Sequence, residues 1–192
     1  VFSDGDPSSP LMFVGEAPGA EEDRTGIPFV GKAGRLLTDM IERGLAFSIN
    51  QLGRRLPNGD RVQTVPRSSV YICNVLKCRP PGNRDPRPDE VENCRDYLQT
   101  QIEQVRPVVI CALGRPATYR LLGYKPGEEP SLGRLRGQRF QLPEDPSIVV
   151  IPTFHPSYLL QTYTPENRRK VRDDLSEVVQ ALDEAGVLPW WL

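Results

Sequence analysis

The chain has 192 residues, 38% of them hydrophobic, enough to bury one sizeable core in a single domain. Its 24 Lys and Arg against 25 Asp and Glu leave a formal net charge of −1, so the chain is no general polyanion binder, and contact with nucleic acid has to rest on local patches. No apolar run is long enough to cross a bilayer and no charged-then-apolar leader opens the chain, so a soluble, cytoplasmic protein is expected.

The first residue is Val1, and the opening VFSDGDPSSP reads as the middle of something, so an upstream segment is expected. Leu11–Gly15 is apolar and bounded by turn residues, the pattern of a buried parallel strand. A helix is predicted over Lys32–Arg43, with Leu36, Leu37, Met40 and Ile41 on one side. Residues 46–69, with the turn Pro57-Asn58-Gly59-Asp60, read as an insertion in one domain spanning 1–192. Val70–Asn74 is a second strand, followed by a helix over Asp89–Val105 with Pro88 suited to its first turn. Val108–Leu113 is a third strand and Arg115–Leu122 a short helix. Residues 124–146 are a Gly- and Pro-rich loop carrying Arg134, Arg136 and Arg139. Ile148–Pro152 is a fourth strand, and Glu166–Ala185 closes the series as an amphipathic helix.

Strands alternating with helices predict a three-layer α/β/α fold around a central, mostly parallel four-stranded sheet. Ligands of such sheets sit at the carboxyl ends of the strands. Each unusual polar motif falls at one of those ends, which points to one composite site. Gly15-Glu16-Ala17-Pro18-Gly19 is either a plain turn or a loop whose free amides meet a ligand. Glu21-Glu22-Asp23 is either a solvated acidic helix start or a source of a carboxylate that orients water. Gly26–Ala33 nearly matches a phosphate-binding loop, but Ala33 lacks the metal-binding hydroxyl and Pro28 lacks an amide proton, so nucleotide hydrolysis is disfavoured. Phe29 is a surface for stacking a base, or a core aromatic. Asn74 carries donors and an acceptor suited to a pyrimidine edge, or simply forms a turn. The rigid basic stretch Lys77–Arg84 and the arginines 134, 136 and 139 are candidate phosphate contacts, each weighed against a solvated surface charge. His155, the one histidine, follows the fourth strand in a loop stiffened by Pro156, and no G-x-S-x-G elbow supports a serine hydrolase. Cys73 and Cys111 lie in apolar runs and read as core. Cys78 and Cys94 have polar, basic surroundings; such a thiolate pair can bind zinc or an iron–sulfur cluster only with two further ligands, and with no CxxC pair in the chain their spacing favours ordinary free thiols.

Together GEAPGAEEDRTGIPFVGKAGRLL (15–37), YICNVLKCRPPGNRDPRPDE (71–90), ALG (112–114) and FHPSYLL (154–160) resemble the family 4 uracil-DNA glycosylases, in family order and over nearly the whole chain. The resemblance implies an enzyme that flips deoxyuridine out of single- or double-stranded DNA and hydrolyses its N-glycosidic bond, starting base excision repair. It acts as a monomer associated with the bacterial or archaeal nucleoid, and needs no nucleotide or divalent metal. By carry-over, Gly15, Glu16, Ala17, Pro18 and Gly19 line the uracil pocket, Phe29 stacks on the base and Asn74 reads its edge. His155 stabilises charge on the departing uracil. Glu22, with Asp23 nearby, positions water or stabilises the sugar cation, and Glu16 is a further catalytic candidate. Lys77, Arg79, Asn83 and Arg84 hold DNA, and Pro156, Ser157, Tyr158, Leu159 and Leu160 enter the duplex. The family also implies a [4Fe-4S] cluster, with Cys78 and Cys94 as two ligands and the other two upstream of Val1. A catalytically weak uracil-DNA binding protein of the same fold is the alternative.

Overall fold

The computed structural model describes all residues, 1–192. Six strands form one sheet: β1 (Asp4–Gly5), β2 (Leu11–Gly15), β3 (Tyr71–Asn74), β4 (Val109–Leu113), β5 (Phe140–Leu142) and β6 (Asp145–Thr153), in the order β1-β3-β2-β4-β6-β5. The four expected strands are the parallel centre, β3-β2-β4-β6. The expected count of four is corrected to six, because β1 and β5 add antiparallel edges. β1 is only two residues long and β5 lies inside the stretch read as a loop, so neither shows a periodic signal.

The central strands are buried on both faces, and alternation divides their side chains between two cores. Leu11, Phe13, Ile72, Cys111 and Ile151 belong to one cluster, which is completed by helices α2 (Lys32–Asp39), α3 (Ala46–Gln51) and α9 (Pro165–Glu184). Met12, Val14, Cys73, Ile110 and Val150 belong to the other, completed by α5 (Arg95–Val105) and α6 (Arg115–Leu122). That division makes the three layers. Cys73 and Cys111 are fully buried, and desolvation pushes the Cys73 thiol up to about 11 and Cys111 higher still.

The helix expected over 32–43 runs further. A π-helical stretch (Met40–Leu45) joins α2 to α3, so residues 46–51 continue the helix. Val62 and Val65 then enter the core, which ties much of the 46–69 stretch to the fold. The expected 89–105 helix breaks at Cys94 into α4 (Pro88–Asn93) and α5. α1 (Ala20–Thr25) makes the Glu21-Glu22-Asp23 stretch a helix start, and two short helices were not foreseen: α7 (Leu132–Leu135) and α8 (Pro156–Gln161). No helix is long and apolar enough to cross a membrane.

Candidate active site

The order β3-β2-β4-β6 sends successive connections in opposite directions from β2, and a crevice opens where they diverge. A cleft of about 240 Å³ lies there, lined by Glu16 to Gly19 after β2, Asn74 after β3 and His155 after β6, with Glu22, Phe29 and Ser157. Most of the pocket residues expected from sequence are thus brought together. Gly15 lies behind them. A Cβ there would collide with the Phe29 ring and lie 2.5 Å from Asn74 Oδ1, so a bare backbone is what lets both side chains close in.

Phe29 is buried with φ +56°, a left-handed conformation that costs energy for a non-glycine residue. Arg67 holds it there. Its guanidinium donates to Phe29 O (2.9 Å), Pro28 O (2.8 Å) and Thr38 Oγ1 (2.7 Å), and pairs with Asp4 at 3.2 Å. Sequence reasoning missed Arg67. A single arginine in a presumed insertion carries no local signal, since its partners are 29 to 63 residues away.

Asn74 is buried, and its Oδ1 has no hydrogen-bond partner in the protein. A sealed, unpaired acceptor costs roughly 1–3 kcal/mol. Facing a cleft, it is poised for a donor that the protein does not supply. Next to it, Lys77 Nζ donates to Asn74 O at 2.6 Å and to Gln101 Oε1 at 2.5 Å. Lys77 is therefore a buried prop behind the strand end, not a phosphate contact, and desolvation lowers its pKa.

His155 is the N-cap of α8. Its Nδ1 accepts from the Ser157 amide at 3.1 Å and lies 2.8 Å from Ser157 Oγ. An amide can only donate, so Nδ1 bears the lone pair and the neutral ring carries its proton on Nε2. Desolvation brings the pKa down to about 4, against an upward pull from Glu22. The Phe29 ring lies 5.7 Å from the imidazole, tilted 32°. Gly114, at φ +86°, leaves room for His155: a Cβ there would come within 2.9 Å of His155 Cβ.

Glu22 sits in the first turn of α1, where Oε1 accepts from the Val30 and Gly31 amides, both at 3.0 Å. One carboxylate oxygen is thereby fixed and the group faces the cleft. Asp23 is exposed on the same turn and does not line the cleft. Glu16 lines it half-buried. Desolvation raises its pKa, as does Asp85, and Arg115 opposes them.

The expected DNA contacts divide. Asn83 and Arg84 reach the cleft, but Arg84 is engaged by Glu90 at 2.5 and 2.8 Å, and Arg79 donates to Asn83 at 2.7 Å. Of the 156–160 stretch, Pro156 and Leu159 form the buried face of α8, while Ser157, Tyr158 and Leu160 are exposed. Leu159 thus anchors the helix and cannot wedge into a duplex from this position. Two arginines of the second basic strip are neutralised, Arg136 by Asp174 (2.9 Å) and Arg139 by Glu177 and Glu184 (both 2.5 Å). Cys78 is exposed and Cys94 half-buried, both free. No three His, Cys, Asp or Glu side chains gather into a group able to hold a metal ion.

The chain matches the model of the uracil DNA glycosylase superfamily over residues 2–179. It is 40% identical to the Type-4 uracil-DNA glycosylase of Thermotoga maritima, over 97% of this chain and 84% of that one. Its identity to the proteins of the same name from Sulfurisphaera tokodaii and Archaeoglobus fulgidus is 39%, over 93% and 91% of this chain and 72% and 77% of theirs.

Proposed function

Because the chain belongs to the uracil DNA glycosylase superfamily, we propose that it hydrolyses the N-glycosidic bond of deoxyuridine in DNA, releasing uracil and leaving an abasic site for repair. The unpaired Oδ1 of Asn74 beside the Phe29 wall carries this reading. Uracil offers N3–H as a donor and O4 as an acceptor, and one carboxamide complements both. The base reaches such a cleft only after leaving the stack, at a cost of a few kcal/mol.

Cleavage breaks the C1′–N1 bond with its electron pair going to uracil, whose O2 becomes anionic, while the sugar becomes cation-like. The neutral imidazole donates from Nε2 to that oxygen, a preorganised dipole that strengthens as charge develops. The fixed Glu22 carboxylate stabilises the sugar cation and orients the water that adds to C1′ and sheds a proton. Glu16 to Gly19 close the pocket around the base. Tyr158 and Leu160, exposed on α8 beside the cleft, fill the space that the base vacates. The work is done on DNA, in the cytoplasm, by a monomer.

The expected outcome is release of free uracil from single- and double-stranded oligonucleotides without added nucleotide or divalent metal. Intact uracil after prolonged incubation with excess protein would overturn the proposal.

Cys78 and Cys94 are read as two of four thiolate ligands of a [4Fe-4S] cluster, the others lying outside these 192 residues. Both are free and reachable, unlike the sealed Cys73 and Cys111. The Val1 amino group donates to Lys77 O at 2.8 Å, so residues joined to Val1 would emerge next to Cys78. A bound cluster supplies a covalent tether among its cysteines. In a chain carrying all four ligands, Cys78→Ser or Cys94→Ser is expected to abolish brown colour and cut bound iron and sulfide severalfold. Unchanged iron in both variants would remove these residues from the site.

A further inference from the structure

Of the six basic side chains expected to meet DNA, Lys77, Arg84, Arg136 and Arg139 are buried or paired with acids, so the cations that remain free mark where a polyanion can lie. Arg35 on α2 and Arg168, Arg169 and Arg172 on α9 are exposed and join no ion pair. Three of them crowd the first two turns of one helix.

Between α2–α3 and α8–α9 runs a groove of about 320 Å³, distinct from the uracil cleft. Its floor is apolar, with Leu36, Met40, Leu159 and Leu175. Its rim carries two aromatic rings, Phe47 at 43% and Tyr163 at 59% exposure. Each ring has an arginine over it at 5.0 Å, Arg172 on Phe47 and Arg168 on Tyr163. The groove's own acid, Asp39, is spent on Arg43 at 3.3 Å, and Asp173 stands exposed beside Arg172.

Rings exposed to this degree beside unpaired guanidinium groups are what an unpaired nucleic-acid strand uses, with bases on aromatic faces and phosphates on cations. The groove and the uracil cleft are lined in part by the same elements. α2 lends Ala33 to the cleft and Leu36 and Asp39 to the groove, while Ser157 of the cleft and Leu159 of the groove are both on α8. Resting on the glycosylase reading above, we infer that this groove holds nucleotides flanking the flipped deoxyuridine in single-stranded DNA. Bases stack against Tyr163 and Phe47, and phosphates lie on Arg168 and Arg172.

The test compares uracil-containing single strands whose flank on either side of the uracil is lengthened from about two to about ten nucleotides. Stacking on one aromatic is worth at least about fivefold. Lengthening one flank should therefore raise kcat/KM for the unaltered protein at least that much, chiefly through KM. The double variant Phe47→Ala with Tyr163→Ala should keep its activity on the short strand and lose the gain. Phe47→Tyr with Tyr163→Phe should restore it. Arg168→Ala with Arg172→Ala should flatten the dependence of binding on log salt by about 1.4, at about 0.7 per phosphate contact. Both rings are at the surface, so melting curves should be little changed. A gain that survives in the alanine variant, or no gain in the unaltered protein, overturns the inference, and the groove then belongs to another partner. Failure to release uracil from the short strand instead defeats the glycosylase reading. In that event anisotropy with a long uracil-free strand still reads the groove without catalysis: loss of binding in the alanine variant supports it, and equal binding overturns it.

Discussion

Replacing His155 with alanine should lower kcat for uracil release by about two to three orders of magnitude while leaving affinity for uracil DNA within about threefold. That split is the signature of a donor used mainly in the transition state, and the size is that of a lost oxyanion donor. The geometry fixes which proton is involved. Nδ1 is committed to the Ser157 amide, so only Nε2 can donate. The same commitment sets the pH behaviour. Desolvation holds the folded-state pKa near 4, below the ordinary 6.5, despite Glu22. The ring therefore stays neutral across pH 5–8, and the histidine-linked acid limb of kcat should fall near pH 4 rather than near 6.5. Stability follows a different course. The unfolded chain takes up a proton below 6.5 that the folded protein refuses, so the contribution of His155 to stability declines as pH falls from about 6.5 to about 4. Activity that halves at pH 6.5, or a fall in binding equal to the fall in kcat, would contradict this role. His155→Asn is the sharper control, because asparagine is a good N-cap and preserves the start of α8 without the Nε2 donor.

Asn74→Ala should reduce kcat/KM about a hundredfold and, in the same protein, leave the fold as stable as before or more so. The buried Oδ1 has no partner until substrate arrives, so the free protein bears its desolvation cost. Truncation removes that cost together with recognition of the base. A stability gain coupled to an activity loss is the mark of a group placed for a ligand rather than for the fold. Chemical denaturation and steady-state kinetics on the same variant check it. A variant that is clearly destabilised but fully active would show that Asn74 serves the strand end alone.

How far the sequence could be read depended on the range of the interactions. The central strands were legible because Leu11–Gly15 and Val109–Leu113 are short apolar runs followed by loops rich in Gly and Pro. Phe29, Asn74 and His155 stood out because each follows such a run or its loop, and the structure sets them around one cleft. What stayed hidden was pairing across the chain. Arg139 looks free in sequence until Glu177 and Glu184, 38 and 45 residues on, close over it. Lys77 looks like a phosphate contact until Gln101 meets it inside the fold. The continuation of the helix through residue 51 was hidden because a π-helical stretch shifts the periodicity at Met40–Leu45. β1 was invisible because two residues carry no period.

Arg67 gives the stacking wall an unusual dependence. One guanidinium grips the carbonyls that fix Phe29 in its left-handed turn and also Asp4 of the outermost strand. The edge strand and the Phe29 turn are thereby tied through one side chain, and opening either would loosen the other. On the proposed role of Phe29, a base held against it would draw the two together, so occupancy of the cleft would protect a sheet margin that it never touches. By reciprocity, opening of β1 would weaken the proposed grip on the base.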